Sequence, residues 1–432
     1  MATQFIEPLS RVFESEEHVR EIARSFDTPV YVISQKLLEE QADKVLAMPN
    51  AFGLKVRFAM KSDPDPNILR IFDRKGIQID ASSGYEAERA MKAGIEPEKI
   101  LITSQQIPKN LVELVNSGVE YNACSLHQLE TFGSLFPEKN VSVRINPGLG
   151  SGGTNRTNTG GPASSFGIWH KQIGDVFELV EKYNLRVERI HSHIGSGSDP
   201  KVWKKVTGMT LGLVEDFVRR GLPNYDIKVV NLGGGQKEKR MSYEESINLQ
   251  NCGEAIKQKF LDLSKRVSCK PLLEIEPGTF LVANATAVLA EVIDIKSTSK
   301  YKFIITDSGM TEIARPSLYG AQHPISVVPR VNEFRGLEKQ IVSGHCCESG
   351  DILTPALNNS EALQPRLLKQ PKIGDLIVVG GAGAYCSGMS FKGYNSYPEA
   401  GKILIDKFGT PKGIRAPQTE EQMTQNERLV ID

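Results

Sequence analysis

Short apolar, β-branched runs alternate with amphipathic segments through the first two thirds of the chain. The runs of strand length are "VRFAM" (56–60), "IQIDA" (77–81), "KILIT" (99–103), "VEYNA" (119–123), "VSVRIN" (141–146), "VERIHSH" (187–193), "IKVVNLG" (227–233) and "PLLEIEP" (271–277). Several of the helical segments between them end in glycine, the usual residue after a helix C-terminus. This repeated strand–helix order predicts a parallel sheet closed into a (β/α)8 barrel. An open doubly wound sheet ordinarily has fewer strands. In addition, no G-x-G-x-x-G motif opens the helix that follows the first predicted strand.

The pattern changes after about residue 280. Runs such as "NATAVLAEVIDIK", "YKFIITDSG" and "DLIVVGGAGAY" are separated by turns, with no long helical segment between them. This texture predicts an all-β domain, which we expect to include the N-terminal run "PVYVIS" (29–34). The predicted domains are therefore a barrel over 35–276 and a β-sandwich or barrel-like domain formed by 1–34 and 277–432.

Composition and charge narrow the class of protein. The chain has 52 Lys plus Arg and 52 Asp plus Glu, so its formal net charge is +0. Nucleic-acid binders and proteins attracted to acidic membranes have a basic excess, so neither class is expected. The apolar runs are too short for a signal peptide or a membrane span. Six sparse cysteines match neither a disulfide framework nor a zinc pattern, which favours a cytoplasmic location.

Polar or ionisable residues stand where nearly every predicted barrel strand ends. In strand order these are Lys61, Asp80 with Ser82 and Ser83, Thr103 with Ser104, Arg144 with Asn146, His191 with His193, the run "NLGGG", and Glu276. Active sites of (β/α)8 barrels lie at the C-terminal ends of the strands. The clustering therefore predicts an active site at that end of the barrel. A Gly/Ser/Thr/Asn-rich loop over 148–166 follows the fifth strand and is long enough to be functional or mobile.

Lys61 and the glycine run point to one cofactor. Gly233, Gly234 and Gly235 let backbone amides approach an anion closely. A tight turn is the alternative, but three consecutive glycines are more than a turn needs, which favours a phosphate site. A lysine that is partly desolvated in a barrel mouth can form a Schiff base. A phosphate site opposite such a lysine suggests pyridoxal phosphate (PLP), and Glu276 can keep the PLP ring nitrogen protonated.

The run "HSHIGS" has more than one interpretation. By strand alternation His191 and His193 face the same side, so an imidazole from this run can stack on the cofactor ring. Taken singly, each histidine is more simply a packed polar residue. A metal-hydrolase barrel is a weaker alternative, because the chain has only 7 histidines and no further cluster of histidines and carboxylates.

Taken together, the motifs resemble those of a known enzyme family. "FAMKSDPDPNILR", "HSHIGSG", "NLGGG", "EIEPG", "CESGD" and "GAGAY" occur in the order seen in PLP-dependent decarboxylases of the alanine-racemase-like fold type, most closely the diaminopimelate decarboxylase family. The resemblance covers nearly the whole chain. It implies an α/β protein with a (β/α)8 barrel followed by a C-terminal all-β domain (fold type III). The implied reaction is PLP-dependent decarboxylation of meso-2,6-diaminopimelate at its D-centre, which gives L-lysine and CO2.

The resemblance also implies roles for individual residues. Implied cofactor-binding residues are Lys61, Asp80, His193, Ser196, Gly233, Gly234, Gly235, Glu276, Gly278 and Tyr385. Implied catalytic residues are Lys61, His193, Cys347 and Glu348. Implied substrate-binding residues are Arg144, Arg315, Tyr319, Glu348 and Tyr385.

The segment "CESGD" implies a homodimer with shared active sites, in which Cys347 and Glu348 enter the partner's site. A two-fold dimer of this kind has two composite sites. Cys347 is then the proton donor and Glu348 its supporting acid. From the residues alone, "HCC" also admits a simpler interpretation as small, buried apolar residues.

The run "ARPSLYG" bears on the substrate. Arg315 and Tyr319 are one helical turn apart, and Pro316 suits the first turn of a helix. Arginine binds carboxylates in a bidentate manner, and the family resemblance implies that it holds the distal carboxylate of diaminopimelate. A surface helix with a solvated arginine is the alternative.

One position departs from the family pattern. The family usually reads Glu-Pro-Gly-Arg, and Thr279 stands where the arginine is expected. A hydroxyl cannot neutralise a carboxylate or phosphate. The alternatives therefore include a decarboxylase of carboxynorspermidine, D-lysine or D-ornithine. An amino-acid racemase and a non-catalytic PLP-binding module are further alternatives.

Overall fold

The computed structural model describes residues 6–152, 157–196, 199–221 and 223–430. Two compact units are found. The sheet unit runs through Leu38 and includes Lys239–Glu244 and the chain from Val282 onward; the barrel unit comprises Glu39–Glu238 and Glu245–Leu281.

The barrel unit contains a closed barrel of parallel strands, which confirms the predicted fold. The strands are β2 (Leu54–Ala59), β3 (Gln78–Ala81), β4 (Ile100–Ile102), β5 (Glu120–Ala123), β6 (Asn140–Asn146), β8 (Arg186–His191), β9 (Val229–Asn231) and β10 (Leu272–Ile275). They pair in the order β5-β4-β3-β2-β10-β9-β8-β6, and a β5–β6 pairing closes the ring. The short strand β7 (Ile168–Trp169) pairs with β6 outside the ring. The C-terminal ends of all the ring strands therefore open at one mouth.

Helices alternate with the barrel strands, as the sequence pattern predicts. Along the described chain the helices of both units are α1 (Glu16–Ser25), α2 (Gln35–Leu46), α3 (Pro66–Arg74), α4 (Gly84–Lys92), α5 (Leu111–Asn116), α6 (Leu126–Leu135), α7 (Ile173–Lys182), α8 (Pro200–Arg220), α9 (Leu249–Val267), α10 (Thr279–Val282), α11 (Arg315–Tyr319) and α12 (Glu420–Thr424). Of these, α3 to α9 lie between successive barrel strands. Capping residues set several starts: the Asp65 side chain accepts from the Asn67 amide before α3, and Ser83 accepts from Glu86 before α4. None of the described helices combines the length and apolarity that a bilayer crossing requires.

Five barrel strands end one or two residues earlier than the sequence pattern suggests, and in β2 and β8 this places a predicted site residue outside the strand. β2 stops at Ala59, and Lys61 lies in the 3₁₀ turn Met60–Ser62, where the Ser62 hydroxyl donates to the Ala59 carbonyl at 2.8 Å. β8 stops at His191, so His193 lies beyond the strand. The Ile194 carbonyl already accepts from Ser151 and Thr159 of the long loop, which draws the chain out of the ring. Residues 153–156 of that loop lie outside the described residues.

The sheet unit is built around an antiparallel-rich sheet. Its strands are β1 (Val30–Ser34), β11 (Thr286–Ser297), β12 (Lys302–Thr306), β13 (Ile325–Val328), β14 (Leu337–Ser343), β17 (Arg366–Lys369), β18 (Leu376–Val379), β19 (Gly401–Ile405) and β20 (Pro411–Arg415). The order is β17-β14-β12-β11-β1-β19-β20, with β18 paired to β11 and β13. The strands β15 (Pro355–Ala356) and β16 (Asn359–Leu363) form a separate ribbon.

The apolar core of this unit explains why a distant N-terminal strand joins it. β1 lies between β11 and β19 and is buried along its whole length. Tyr31 packs in one cluster with Val288, Ile304 and Val342, and its hydroxyl donates to the Glu312 carbonyl at 2.8 Å. A fully apolar strand of this kind needs cover on both faces.

Candidate active site

Lys61 lies just beyond β2, at the barrel mouth. Its side chain is exposed, so the expected partial desolvation of this amine is wrong for the chain alone. The cause is local: the 3₁₀ turn at Met60–Ser62 carries the residue out of the packed strand. The positive charge of Lys61 nevertheless acts on Asp80, Glu86 and His193, so the amine faces the mouth residues.

Glu276 follows β10 and is held by polar neighbours from other strands. Asn231 Nδ2, at the end of β9, donates to Glu276 Oε1 at 2.6 Å. His191 Nε2 lies 3.3 Å from Glu276 Oε2, an ion-pair distance, and His191 Nδ1 lies 2.6 Å from Asn122 Nδ2. Burial alone favours the protonated acid, but His191 and Asn231 outweigh it and hold the pKa of Glu276 well below its ordinary value. The carboxylate is therefore ionised.

His193 is tied to the glycine run. The Gly234 amide donates to His193 Nδ1 at 2.9 Å, so in the neutral ring the proton resides on Nε2. Burial, followed by the charges of Arg144 and Lys61, lowers the pKa of His193 well below its ordinary value. The imidazole is thus a neutral ring.

The glycine run is a close backbone passage that tolerates no side chain. Gly233 and Gly235 have φ of +64° and +102°, in the range that favours glycine. A Cβ at Gly234 would lie 2.5 Å from the Glu276 carbonyl oxygen. The Gly233 amide donates to Asn231 Oδ1 at 2.7 Å. Two of the three glycine amides therefore bind site side chains, while the Gly235 amide has no hydrogen-bond partner among the described residues.

Asp80 is a second buried acid in the mouth. It is 2 % exposed, and its Oδ1 has no hydrogen-bond partner within the described part of the chain. Burial, then the charge of Glu276, raises the pKa of Asp80 well above its ordinary value, and the charge of Lys61 opposes this shift. Nearby, burial also raises the pKa of Glu86, whose Oε2 accepts from the Ser82 amide at 2.7 Å.

The remaining predicted barrel residues lie on the same unit. Arg144, in β6, is buried with its guanidinium 5.1 Å from the Phe166 ring centre. The Ser196 amide donates to the Thr157 carbonyl at 3.0 Å. Gly278 is buried against Ser62, where a Cβ would approach to 3.2 Å, and Thr279 begins α10.

In the sheet unit, the "CESGD" segment forms a turn held by Asp351. The Asp351 carboxylate accepts from the Met310 and Cys346 amides at 2.7 and 2.9 Å. Cys347 is exposed, so the interpretation of this cysteine as a buried apolar residue is wrong. Glu348 accepts from the Gly350 amide at 3.0 Å, and this bond keeps the pKa of Glu348 below its ordinary value.

The Glu348 carboxylate also receives the Tyr394 hydroxyl at 3.3 Å. Tyr385 has a φ of +58°, a conformation that a bulky residue rarely adopts, and strain of this kind is concentrated at functional sites. Its side chain is half-buried.

The predicted helix at "ARPSLYG" is present as α11 (Arg315–Tyr319), with Pro316 in its first turn. Arg315 is half-buried, and no carboxylate among the described residues lies within 4 Å of its guanidinium. Its Nη1 lies 3.0 Å from His323 Nε2. Tyr319 is half-buried on the same helix.

Sequence reasoning missed three supporting residues. Asn231, Asn122 and His323 each bind a predicted site residue directly. Asn231 opens the run "NLGGG" at a strand end, a position that could have marked it. Asn122 carries no comparable signal, because its partner His191 is 69 residues away in the sequence. His323 is only eight residues from Arg315, but it lies outside α11, so helical spacing does not relate the two.

Comparisons with known proteins bear on these arrangements. A family model described as pyridoxal-dependent decarboxylase, pyridoxal binding domain, matches residues 38–283. The diaminopimelate decarboxylase of Escherichia coli is 31% identical over 421 residues, covering 96% of this chain and 97% of the relative. That of Methanothermobacter thermautotrophicus is 30% identical and covers 95% of this chain and 94% of its own length. The chain belongs to the diaminopimelate decarboxylase family. It is a PLP-dependent amino-acid decarboxylase.

A solved structure supports the family assignment over the whole fold. The crystal structure of a diaminopimelate decarboxylase superposes with a TM-score of 0.87 at 29% identity, covering 97% of this chain and 99% of that one. A lysine/ornithine decarboxylase from Vibrio vulnificus, at 20% identity and a TM-score of 0.76, has the same fold.

The barrel mouth fits PLP on its own geometry. The orphaned oxygen of Asp80, the ionised carboxylate of Glu276 and the neutral ring of His193 are the groups that a charged pyridine ring needs. The glycine run excludes side chains and presents the Gly235 amide, as a phosphate cradle does. The expected arginine is replaced by Thr279, so this cradle has one fewer cationic group than the family pattern.

Proposed function

We propose that this chain decarboxylates meso-2,6-diaminopimelate at its D-centre and releases L-lysine and CO2. Family membership and the relatives named diaminopimelate decarboxylase support the reaction class. The observation that carries the substrate is Arg315, a half-buried guanidinium with no carboxylate partner among the described residues. An uncompensated guanidinium at a site favours a ligand with an additional carboxylate. D-lysine, D-ornithine and carboxynorspermidine each have a single carboxylate and would leave this charge unused.

In the proposed site, the Lys61 amine would hold the cofactor as a Schiff base and would be released when the substrate amine takes its place. PLP, when bound, supplies an electrophilic aldehyde and a ring that accepts the electron pair left on the substrate carbon when CO2 departs. Glu276 remains ionised and holds a proton on the ring nitrogen. Asn231 and His191 orient its two oxygens, so the carboxylate does not have to reorganise during the reaction. His193 covers one face of the ring and excludes water from it.

The proton that replaces CO2 is assigned to Cys347, with Glu348 as the supporting acid. Both lie on a turn that Asp351 and Tyr394 hold in place. The Gly350 amide donates to Glu348 and keeps its pKa below its ordinary value.

The proposal includes a homodimer in which Cys347 and Glu348 enter the partner's site. Mixing of two inactive variants tests this directly. If K61A and C347A subunits re-associate at random, half the dimers have one intact site of two, so about a quarter of the wild-type activity returns. A mixture of K61A and E276Q is the matched control, because both lesions lie in the barrel and no intact site can form. Failure of the first mixture to recover activity, with re-association verified, would contradict the shared site.

A CO2-release panel tests the substrate. It compares meso-diaminopimelate with carboxynorspermidine and with the D- and L-forms of lysine and ornithine. We expect turnover of meso-diaminopimelate, and a rise in KM of about 10- to 100-fold for it in Arg315→Met. Release of CO2 from another substrate in preference to meso-diaminopimelate would refute the assignment. Racemisation without release of CO2 would indicate an amino-acid racemase. Binding of PLP without turnover of any amino acid would indicate a non-catalytic PLP-binding module.

The cytoplasm is the proposed location. All six cysteines are present as thiols rather than as disulfides, which suits a reducing compartment. Subcellular fractionation checks this point, and recovery of the protein outside the cytoplasm would contradict it.

A further inference from the structure

His323 lies directly behind Arg315 in the sheet unit. It precedes β13 by two residues and is 0 % exposed. Its Nδ1 lies 3.0 Å from the Gly380 carbonyl oxygen, and its Nε2 lies 3.0 Å from Arg315 Nη1. The Gly380 amide in turn donates to the Pro324 carbonyl at 2.8 Å. His323 is thus anchored where β13 and β18 pair.

The two neighbours of the ring require the same tautomer. A carbonyl oxygen only accepts, so Nδ1 carries the proton and donates to Gly380. A guanidinium only donates, so Nε2 carries the lone pair and accepts from Arg315. Burial, followed by the charges of Arg315, Arg240 and Arg366, keeps the pKa of His323 well below its ordinary value. The ring is therefore neutral in this tautomer.

A neutral acceptor orients the guanidinium without neutralising it. A carboxylate in the place of His323 would fix Arg315 equally well, but it would also cancel the charge that a substrate carboxylate needs. His323 uses one of the five N–H donors of an arginine and leaves the others for a ligand. Orientation before binding lowers the side-chain entropy that binding would otherwise cost.

We propose that His323 is a positioning residue that makes this enzyme selective for substrates with a second carboxylate, by holding Arg315 through Nε2. The inference rests on the proposed function, in which Arg315 receives the distal carboxylate. A merely structural His323 would pack the sheet unit and affect every ligand equally.

A matched pair of ligands separates these two roles. L-lysine keeps the distal carboxylate of the substrate, and cadaverine is the same molecule without it. Competitive inhibition constants of both are measured on wild type, His323→Leu, His323→Gln and Arg315→Met, and on the Leu/Met double variant. Thermal unfolding of each variant checks that it is folded.

We expect His323→Leu to weaken L-lysine by about 10- to 100-fold and cadaverine by less than about twofold. KM for meso-diaminopimelate should rise by a similar factor, with kcat changed much less. In the Arg315→Met background the His323 substitution should have no further effect, because the residues act through one contact. His323→Gln, which can accept from Arg315 and donate to Gly380, should recover part of the loss.

Equal weakening of L-lysine and cadaverine, or additive effects in the double variant, would overturn the inference. If Arg315→Met leaves the inhibition constant of L-lysine unchanged, Arg315 does not bind the distal carboxylate. That result contradicts the proposed function and is distinct from a failure of the His323 proposal alone. If His323→Leu does not fold, the wild-type protein still provides a test by ¹⁵N-histidine NMR. A proton on Nδ1 and a lone pair on Nε2 whose shift changes in Arg315→Met would support the proposal. The opposite tautomer would defeat it.

Discussion

Two charged clusters inside the barrel unit differ in how they are compensated. The first, called here the ionic cluster, consists of Arg57, Glu120, Arg189 and Glu274. Arg57 Nε lies 2.9 Å from Glu274 Oε2 and its Nη2 lies 2.5 Å from Glu120 Oε2, while Arg189 Nη2 lies 2.8 Å from Glu120. Each carboxylate is shared by two arginines, so the formal charges cancel. Although burial opposes ionisation, the two arginines hold the pKa of Glu274 below its ordinary value.

The second cluster, called here the mouth cluster, consists of Asp80, His191, Asn231 and Glu276. No arginine or lysine among the described residues forms an ion pair with Glu276, whose oxygens meet an amide and an imidazole instead. Asp80 retains an oxygen without a hydrogen-bond partner in the described chain. The two clusters are joined by Asn231 Nδ2, which donates to both Glu274 and Glu276.

Two glutamates close in sequence, Glu274 in β10 and Glu276 just beyond it, differ in which groups compensate their charge. Glu274 and Glu276 are two residues apart and face the same interior. The glutamate in the closed part of the ring is neutralised by arginine, and the one at the open end is left for a ligand.

The largest expected effect is that of substituting Lys61, in the turn that follows β2. Lys61→Ala should lower decarboxylation by on the order of 10⁴-fold or more, because covalent capture of the cofactor is lost. The borohydride-reducible absorbance of the loaded enzyme should disappear with it. Lys55→Ala, at the opposite end of β2, is the control and should keep both. Retained activity in Lys61→Ala would break the assignment of chemistry to the mouth.

Glu274→Gln tests the ionic cluster. The substitution leaves Arg57 and Arg189 buried with only Glu120 between them, so unfolding free energy should fall by about 3–5 kcal/mol. Chemical denaturation of the cofactor-free protein measures it. An unchanged midpoint would show that the cluster is not needed for stability.

Glu276→Gln is the matched substitution at the mouth. We expect kcat to fall by about 100-fold, since a neutral amide cannot stabilise a positive ring nitrogen. The unfolding free energy should fall by less than in Glu274→Gln, because no buried arginine loses its partner. Steady-state kinetics and denaturation are measured on the same sample. If Glu274→Gln and Glu276→Gln change kcat and the unfolding free energy to the same extent, the proposed difference between the ionic cluster and the mouth cluster is contradicted.

Asp80→Asn gives the smallest effect and a definite pH dependence. The raised pKa of Asp80 means that the native state retains a proton that the unfolded chain releases. Stability therefore falls as pH rises from the unfolded pKa near 4 through the folded one. The asparagine variant has no proton to release and escapes this loss, so without cofactor it should gain about 1–2 kcal/mol at pH 8 and nothing at pH 4. A gain that is equal at both pH values would contradict an unpaired acid at this site.

Much of the site follows from residues that end strands. Glu276 could be placed from a strand pattern alone, because barrel topology sends every strand end to one mouth. Asn231 occupies a similar position, but its hydrogen bonds to Glu274 in β10 and to Glu276 just beyond β10 depend on strand order, which periodicity does not reveal. Lys61 was placed correctly at the mouth, whereas its exposure depends on the turn that Ser62 closes.

The sequence by itself determined the alternation of elements, the barrel and the chemical types at its mouth, because these depend on local periodicity and on a few side chains that reactions require. Only the tertiary structure decided which charges are compensated. Arg57 and Glu274, which form an ion pair, are 217 positions apart in the sequence, and the hydrogen-bonded residues His323 and Gly380 are 57 positions apart. Such pairs form where strands distant in sequence become neighbours in the folded chain, and burial then fixes their protonation.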